Sequence, residues 1–337
     1  MSVIFPAAFQ TTDAQSGIDA LEIAVLIPCH NEAAAIGTVV RDFRAALPDA
    51  RIYVYDNNSS DNTAAVARAA GAIVRREPRQ GKGHVVRRMF ADIEADIYVM
   101  VDGDDTYDAS RAPEMVGHMV ADGLDLVNGV RVAGSDTAYR PGHALGNRVL
   151  SGLVGTIFGR GTSDMLSGYR VFSRRFVKTF PMMARGFEIE TELTVHSLEL
   201  DMPTGEVPGR FKDRAEGSES KLNSIRDGLR ILSTISKLLK QERPLPVFGG
   251  LAVAFALLSL GLAWPVFTEY FATGLVPRLP TAVLSASIMI LAFLLGVAGL
   301  ILDTVTRGRQ ETKRMRYLSV PGVLSRLQPR PGVDRAG

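Results

Sequence analysis

Short apolar runs alternate with amphipathic stretches through the first half of the chain. Glu22–Ile27, Arg51–Tyr55 and Ala72–Arg76 read as strands, and β-branched and aromatic residues mark Ile97–Val101 as a buried one. Helices are expected over Ala33–Ala46 (closed by Pro48), Thr63–Ala70 (ended by Gly71), Lys82–Ala95 and Pro113–Ala121, with another strand over Leu124–Val132. Strands alternating with helices predict an α/β fold: a Rossmann-like, mostly parallel, doubly wound sheet flanked by helices. Ligands of such sheets bind outside the strands' carboxyl ends, where this chain places its polar clusters.

The pattern changes in the last third. Phe248–Phe267 and Val283–Leu302 carry no charge, and each is long enough as a helix to cross the roughly 30 Å hydrocarbon core of a bilayer. A short linker with Pro277 and Pro280 joins them, and Trp264 and Tyr270 sit near one end, where interfacial aromatics collect. Pro265 is a candidate kink. Basic residues gather on the outer flanks: Arg226, Arg230, Lys237, Lys240 and Arg243 before the pair, Arg307, Arg309, Lys313, Arg314 and Arg316 after it. By the positive-inside rule both termini and the N-terminal domain are expected in the cytoplasm. Between the domains, 224–243 has apolar residues at Ile225, Leu229, Leu232, Ile235 and Leu239 among basic ones, an amphipathic helix suited to an anionic membrane surface or to packing on the globular domain.

Composition narrows the function. The net charge of +2 over 337 residues gives no bulk electrostatic case for nucleic acid. One cysteine, Cys29, excludes an internal disulfide and a cysteine-based zinc cluster, and its apolar setting predicts a small buried residue. The N-terminus lacks the basic region of a secretory signal, so no cleaved leader is expected.

The chemistry concentrates where the strand Ile97–Val101 ends in Asp102, Asp104 and Asp105, with Gly103 expected to ease the turn. Two like charges about 4 Å apart repel by roughly 4 kcal/mol at an effective dielectric near 20. A divalent cation bridging to a diphosphate reverses that sign, and hard oxygen ligands favour Mg2+ or Mn2+. A solvated acidic turn is the alternative. After the first strand comes Pro28-Cys29-His30-Asn31-Glu32, placed to fix a ribose or base edge, with Asn31 as a plain N-cap the other reading. After the second comes Asp56-Asn57-Asn58-Ser59-Ser60-Asp61-Asn62-Thr63, in which Asp56 can accept from a nucleobase and Asp61 or Asn62 caps the next helix. Gly81-Lys82-Gly83 lets backbone and cation approach a ligand together, though it is also an ordinary basic turn.

In their order along the chain, Pro28–Glu32, Asp56–Asp61, Gly81–Gly83 and Asp102–Asp105, the four motifs resemble those of family-2 glycosyltransferases with the GT-A fold. Asp164-Met-Leu-Ser-Gly-Tyr-Arg170, Gly186-Phe-Glu-Ile-Glu-Thr-Glu192, and Arg210 followed by Gly217–Lys221 are similar to the dolichyl-phosphate mannosyltransferase and polyprenyl-phosphate glycosyltransferase branch. The resemblance covers about 22–240. It implies that Pro28, Asn31, Glu32, Asp56, Asn58 and Lys82 line the nucleotide, that Asp102 and Asp104 hold the metal, and that Asp105 supports them. Arg131, Arg148, Arg170, Arg210 and Lys221 become candidates for acceptor phosphate or donor diphosphate, with Arg131 and Arg210 preferred. Glu188 and Glu190 would support the site, shape the sugar pocket, or pair with an arginine. The lone tryptophan lies in a candidate span, so the Gln-x-x-Arg-Trp motif of processive synthases is absent.

The resulting expectation is an inverting hexosyltransferase. It moves a sugar from GDP-mannose or a UDP-hexose to undecaprenyl or dolichyl phosphate at the cytoplasmic membrane face, with Mg2+ or Mn2+. Alternatives are transfer to a hydroxyl lipid or lipid-linked saccharide with Asp164 as base, and a non-catalytic nucleotide-sugar binder. The lipid bilayer is a partner, nucleic acid is not, and a homo-oligomer is compatible with the resemblance. The expected division is an extension over 1–21, a GT-A domain over 22–223, the amphipathic helix over 224–243, spans at 248–267 and 283–302, and a basic tail over 303–337.

Overall fold

The computed structural model describes residues 21–133, 163–212 except 185 and 187, and 239–327, with a few isolated positions between them. These divide into two compact units, one over Met1–Leu232 with Arg314–Gly337 and one over Ser233–Lys313.

The first unit carries the sheet. Its described elements, in chain order, are β1 (Ile23–Cys29), α1 (Ile36–Ala46), β2 (Arg51–Asp56), α2 (Thr63–Ala69), β3 (Ile73–Arg76), α3 (Lys82–Asp92), β4 (Ile97–Met100), α4 (Ala112–Asp122), β5 (Leu126–Ala133), β6 (Arg170–Ser173), α5 (Arg174–Thr179), α6 (Ile189–Glu199) and β7 (Thr204–Phe211). The strands lie in the order β3-β2-β1-β4-β6-β5-β7. β1 pairs in parallel with β2 and β4, β2 with β3, and β5 with β7. The sheet is mostly parallel, as expected, and mixed at one place. β6 inserts antiparallel between β4 and β5, with Arg170 opposite both Met100 and Asn128. Being reversed, β6 brings its first residue, Arg170, to the edge where the other strands end.

Alternation along the strands makes two cores. Val25 and Ile27, Ile52 and Val54, and Ile97 and Val99 face one side with α1, α2 and α4. Ala24 and Leu26, Tyr53 and Tyr55, and Tyr98 and Met100 face the other with α3, α5 and α6. Helix α1 buries Ile36, Val39, Val40 and Phe43, an apolar stripe at helical spacing. With both faces covered, polar groups collect at the strand ends. Beyond β1 and β4 the strand order reverses direction, which opens a crevice at their carboxyl ends.

The second unit holds most of two long helices, α7 (Pro244–Thr273) and α8 (Leu279–Ser319), whose last residues belong to the first unit. Both are long and apolar enough to cross a membrane. A soluble core helix would hide its large side chains, whereas Leu257, Trp264 and Phe293 are exposed. Ser259 Oγ donates to the Ser285 carbonyl (2.7 Å) and Gly299 packs on Phe248, so small residues bring the helices together. Both helices outrun the expected spans. α7 continues through Pro265, and α8 continues past Leu302 with Asp303 and Arg307 paired one turn apart at 2.8 Å. The candidate amphipathic helix falls largely outside the described residues, as does 134–162 apart from Gly152 and Gly155.

The end of α8 and the short α9 (Val323–Leu327) return to the sheet domain. Val323 joins the first core, and Tyr317 stacks under the Arg175 guanidinium at 4.2 Å.

Candidate active site

The tips of β1 and β2 are stitched to each other. Asn31, with φ 53°, accepts from Ser60 N through Oδ1 (2.7 Å), while its own N–H donates to Ser59 Oγ (2.9 Å). It is not an N-cap, since α1 starts only at Ile36. Buried Glu32 donates its N–H to Thr63 Oγ1 (2.8 Å), and Asp61 accepts from Thr63 N (3.0 Å) and Ala33 N (3.1 Å). His30 Nδ1 donates to the Asn57 carbonyl (2.8 Å). Asn57 donates to the Glu77 and Arg79 carbonyls and accepts from Gly81 N (2.8 Å), which fixes the start of α3. Asn58 braces the same loop through the Pro78 carbonyl (2.7 Å) and Arg76 (3.2 Å). Pro28 lies opposite Tyr55, and Asp56, buried at the end of β2, accepts from Ser59 N (3.3 Å).

Past β4 the acidic residues separate into three settings. Asp104 is buried and accepts from Thr106 Oγ1 (2.6 Å). Asp105, with φ 57°, pairs with Lys212 at 3.1 Å. Gly103 is required for space: a Cβ there would come within 2.5 Å of Cys29 Sγ, and the left-handed residue of the turn is Asp105. The side chain of Asp102 is 30% exposed and lies against Gly168, where a Cβ would fall 2.2 Å from its Oδ2. Lys82 Nζ sits 2.5 Å from Asp102 Oδ1 and 2.5 Å from Glu190 Oε1. Burial alone would pull Lys82 down, but the two facing carboxylates reverse this and hold the ammonium above the ordinary lysine value. Among the described residues Glu190 thus pairs with a lysine and not with an arginine, and Glu188 accepts from Gly186 N (3.1 Å).

Next to this cluster, Tyr107 OH accepts from Gly168 N (2.8 Å). Burial pushes the Tyr107 phenol up, opposed by Arg131. Arg131 grips Asp164 through Nε and Nη2, each at 2.7 Å, and lies over the Phe211 ring. Asp164 is buried, and its carboxylate also accepts from Arg131 N (3.2 Å). Held so, it is not a free proton acceptor, which corrects its reading as a base. Arg170 is corrected too. It is 1% exposed and donates to the Met165 and Ser167 carbonyls and to Thr194 Oγ1, so it ties Met165–Ser167 to α6 and offers no open face to a phosphate. Arg210 is exposed on β7, beside Val132. Arg148 and Lys221 lie outside the described residues.

No group of three or more His, Cys, Asp or Glu side chains converges among the described residues. Mg2+ and Mn2+ do not require one, because they take one or two carboxylates and complete their shell with water and substrate phosphates. Asp104, fixed by Thr106, and the accessible Asp102 at the strand end are such a donor set, and it fits.

Comparison with known proteins agrees with this layout. Residues 24–180 match the model of Glycosyl transferase family 2. Glycosyltransferase AglJ of Haloferax volcanii is 33% identical over 303 residues, 88% of this chain and 98% of its own length. The chain belongs to glycosyl transferase family 2. Another relative of this glycosyltransferase is the dolichyl-phosphate hexose transferase of Haloferax volcanii, 28% identical over 223 residues, 66% of this chain and 96% of that one. Glucosyl-3-phosphoglycerate synthase from Mycobacterium tuberculosis, in complex with Mg2+ and UDP, superposes with a TM-score of 0.56 at 21% identity, over 69% of this chain and 85% of that one. At that identity the likeness shows the fold, GT-A.

Sequence reasoning missed three features of the glycosyltransferase site: the Glu190 end of the lysine bridge, Lys212 on Asp105, and Tyr107 under Gly168. Each joins residues distant in the chain, and only the clustering of carboxylates around one lysine could have pointed to the first.

Proposed function

We propose that this glycosyltransferase transfers a hexose from a nucleoside-diphosphate sugar to a polyprenyl phosphate, undecaprenyl or dolichyl, with inversion, at the cytoplasmic face of a membrane. The observation that carries the reading is the closed Arg131–Asp164 fork. A hydroxyl acceptor needs a base, and the carboxylate on that side is already engaged. A phosphate acceptor is ionised near neutral pH and needs none. The dolichyl-phosphate hexose transferase among the relatives and the two apolar helices support a lipid acceptor. Basic residues in the C-terminal part of α8, Arg307 to Arg316, support a cytoplasmic catalytic domain.

In this reading Asp56 meets the base, with Pro28, Asn31, Glu32 and Asn58 shaping the nucleotide pocket around it. Asp102 and Asp104 would hold Mg2+ or Mn2+, and the cation would supply positive charge against that developing on the departing nucleoside diphosphate. Lys82, at the start of α3, holds a positive charge beside that group. Arg131 and Arg210, with Lys221, draw the lipid phosphate towards an already anionic donor and lower the repulsion between them. The phosphate oxygen attacks the anomeric carbon as the bond to the diphosphate breaks, and the nucleoside diphosphate leaves with that electron pair. Asp164 orients Arg131 throughout.

The test incubates the purified full-length chain with a panel of nucleotide sugars, Mg2+ or Mn2+, and either short-chain polyprenyl phosphate or a hydroxyl glycerolipid, with products identified by mass. Glycosyl polyprenyl phosphate is expected. A product formed only with the hydroxyl lipid overturns the acceptor assignment, and donor binding without consumption overturns turnover.

A further inference from the structure

Lys82 occupies the place a cation needs. Its ammonium lies 2.5 Å from Asp102, the more accessible of the two carboxylates expected to bind metal. An ammonium and a divalent cation repel, so one carboxylate cannot serve both at full strength. The ammonium is also poorly placed to leave, because the Lys82 side chain is only 9% exposed and burying it without a partner is costly. Its backbone is fixed at the start of α3, with the preceding Gly81 N–H held by Asn57 (2.8 Å). Any exchange must therefore occur by side-chain motion alone.

Glu190 solves this. Its side chain is 6% exposed, too enclosed to attract a dissolved cation, and its ion-pair partner among the described residues is Lys82. The second residue of α6, it stands on a helix start anchored by Glu192, which accepts from Met183 N and Ala184 N at 2.7 Å each. We infer that Glu190 is a positioning residue that retains Lys82 within the site, so that the bridging ammonium releases Asp102 and stays on Glu190 when the cation arrives. Lys82 neutralises Asp102 beforehand and stays within the site afterwards, close to where the donor's diphosphate is proposed. This inference rests on the cation site of the proposed function and adds the mechanism by which that site is kept and vacated.

The exchange makes opposite predictions for the two ends of the bridge. Mn2+ binding to the full-length chain in detergent micelles, without nucleotide, is measured by the electron paramagnetic resonance of the free ion. Glu190→Gln leaves Lys82 with Asp102 alone and should weaken Mn2+ about tenfold, while Lys82→Gln removes the competitor and should tighten it about tenfold. The double variant should bind within about twofold of Lys82→Gln, because Glu190 acts through Lys82. It also removes both charges of the buried pair and so protects the test against misfolding of the lysine variant; its affinity must exceed that of wild type. An equal loss from Glu190→Gln in both backgrounds, or no effect in either, overturns the exchange alone. Wild-type protein without Mn2+ binding that Asp104→Asn abolishes overturns the cation site and the exchange together.

Discussion

Arg131 and Asp164 meet in a two-point fork, with Nε and Nη2 each 2.7 Å from a carboxylate oxygen of a side chain that is 2% exposed. Breaking a buried pair by removing one charge costs about 3–5 kcal/mol, because the partner's charge stays behind. Asp164→Asn is therefore expected to destabilise the catalytic domain by about 3 kcal/mol and to raise KM for polyprenyl phosphate more than KM for the donor. Thermal unfolding and steady-state kinetics on the same preparation check both. A base would behave otherwise: kcat would fall while both KM values held.

Gly168 shows how little room the acidic tip has. A methyl group there would lie 2.2 Å from Asp102 Oδ2, and the backbone N–H at this position already donates to Tyr107 OH. Gly168→Ala must push Asp102 aside, and a misplacement of about 1 Å in such a site costs on the order of 100-fold in rate. The expected outcome is a folded protein whose kcat has dropped by about that factor. Circular dichroism and product formation distinguish this from global unfolding.

What the chain reveals before folding is local. Asp102 and Asp104 can be read from it because a buried strand passes abruptly into carboxylates, and the helices α1 and α4 because their apolar residues recur at helical spacing. β6 is a different case. Its four residues are all buried, which leaves no alternation to see, and nothing local says that it runs antiparallel between β4 and β5. Arg170 misleads for a related reason: a charge in sequence does not disclose whether it faces a ligand or the carbonyls of Met165 and Ser167. Lys82 looks like part of a basic turn until α6 delivers Glu190 to it.

The end of α8 is the other feature hidden in the chain, and it is testable by stability. Buried Asp125, just before β5, accepts from Tyr317 OH (2.6 Å), Arg175 Nη2 (2.8 Å) and Ser173 Oγ (2.6 Å). Tyr317→Phe removes one of these donors and should cost about 1–2 kcal/mol. Tyr317→Ala also removes the ring under Arg175 and should cost more. Both are expected to lower the midpoint of thermal unfolding in detergent, the alanine variant further; equal midpoints for all three proteins would show that the tail does not hold the domain.

Arg210 lies exposed on β7, beside Val132 and one residue beyond the partner of Arg131 in the strand register. Its exposure makes a role in folding small, so a loss there reads directly on ligand use. Charge-assisted hydrogen bonds to a phosphate contribute about 1.5–3 kcal/mol, of which an exposed arginine retains the lower part. Arg210→Ala should therefore raise KM for polyprenyl phosphate by about tenfold with donor KM and the unfolding midpoint unchanged. Equal losses for lipid and donor would move Arg210 from the acceptor to the diphosphate.

The cation is the last element to separate by experiment. Asp104 is held by Thr106, so replacing its carboxylate with an amide changes charge while keeping a partner for the hydroxyl. Asp104→Asn should lower turnover by at least about 100-fold, and exhaustive chelation of the wild-type protein should do the same. Restoration by Mg2+ or Mn2+ is expected only where Asp104 is intact. Thr106→Val tests the support independently: it leaves both carboxylates in place but removes the 2.6 Å hydrogen bond, and the metal concentration required for half-maximal turnover should rise. Full activity of chelated wild-type protein would instead assign stabilisation of the leaving diphosphate to Lys82 and the arginines alone.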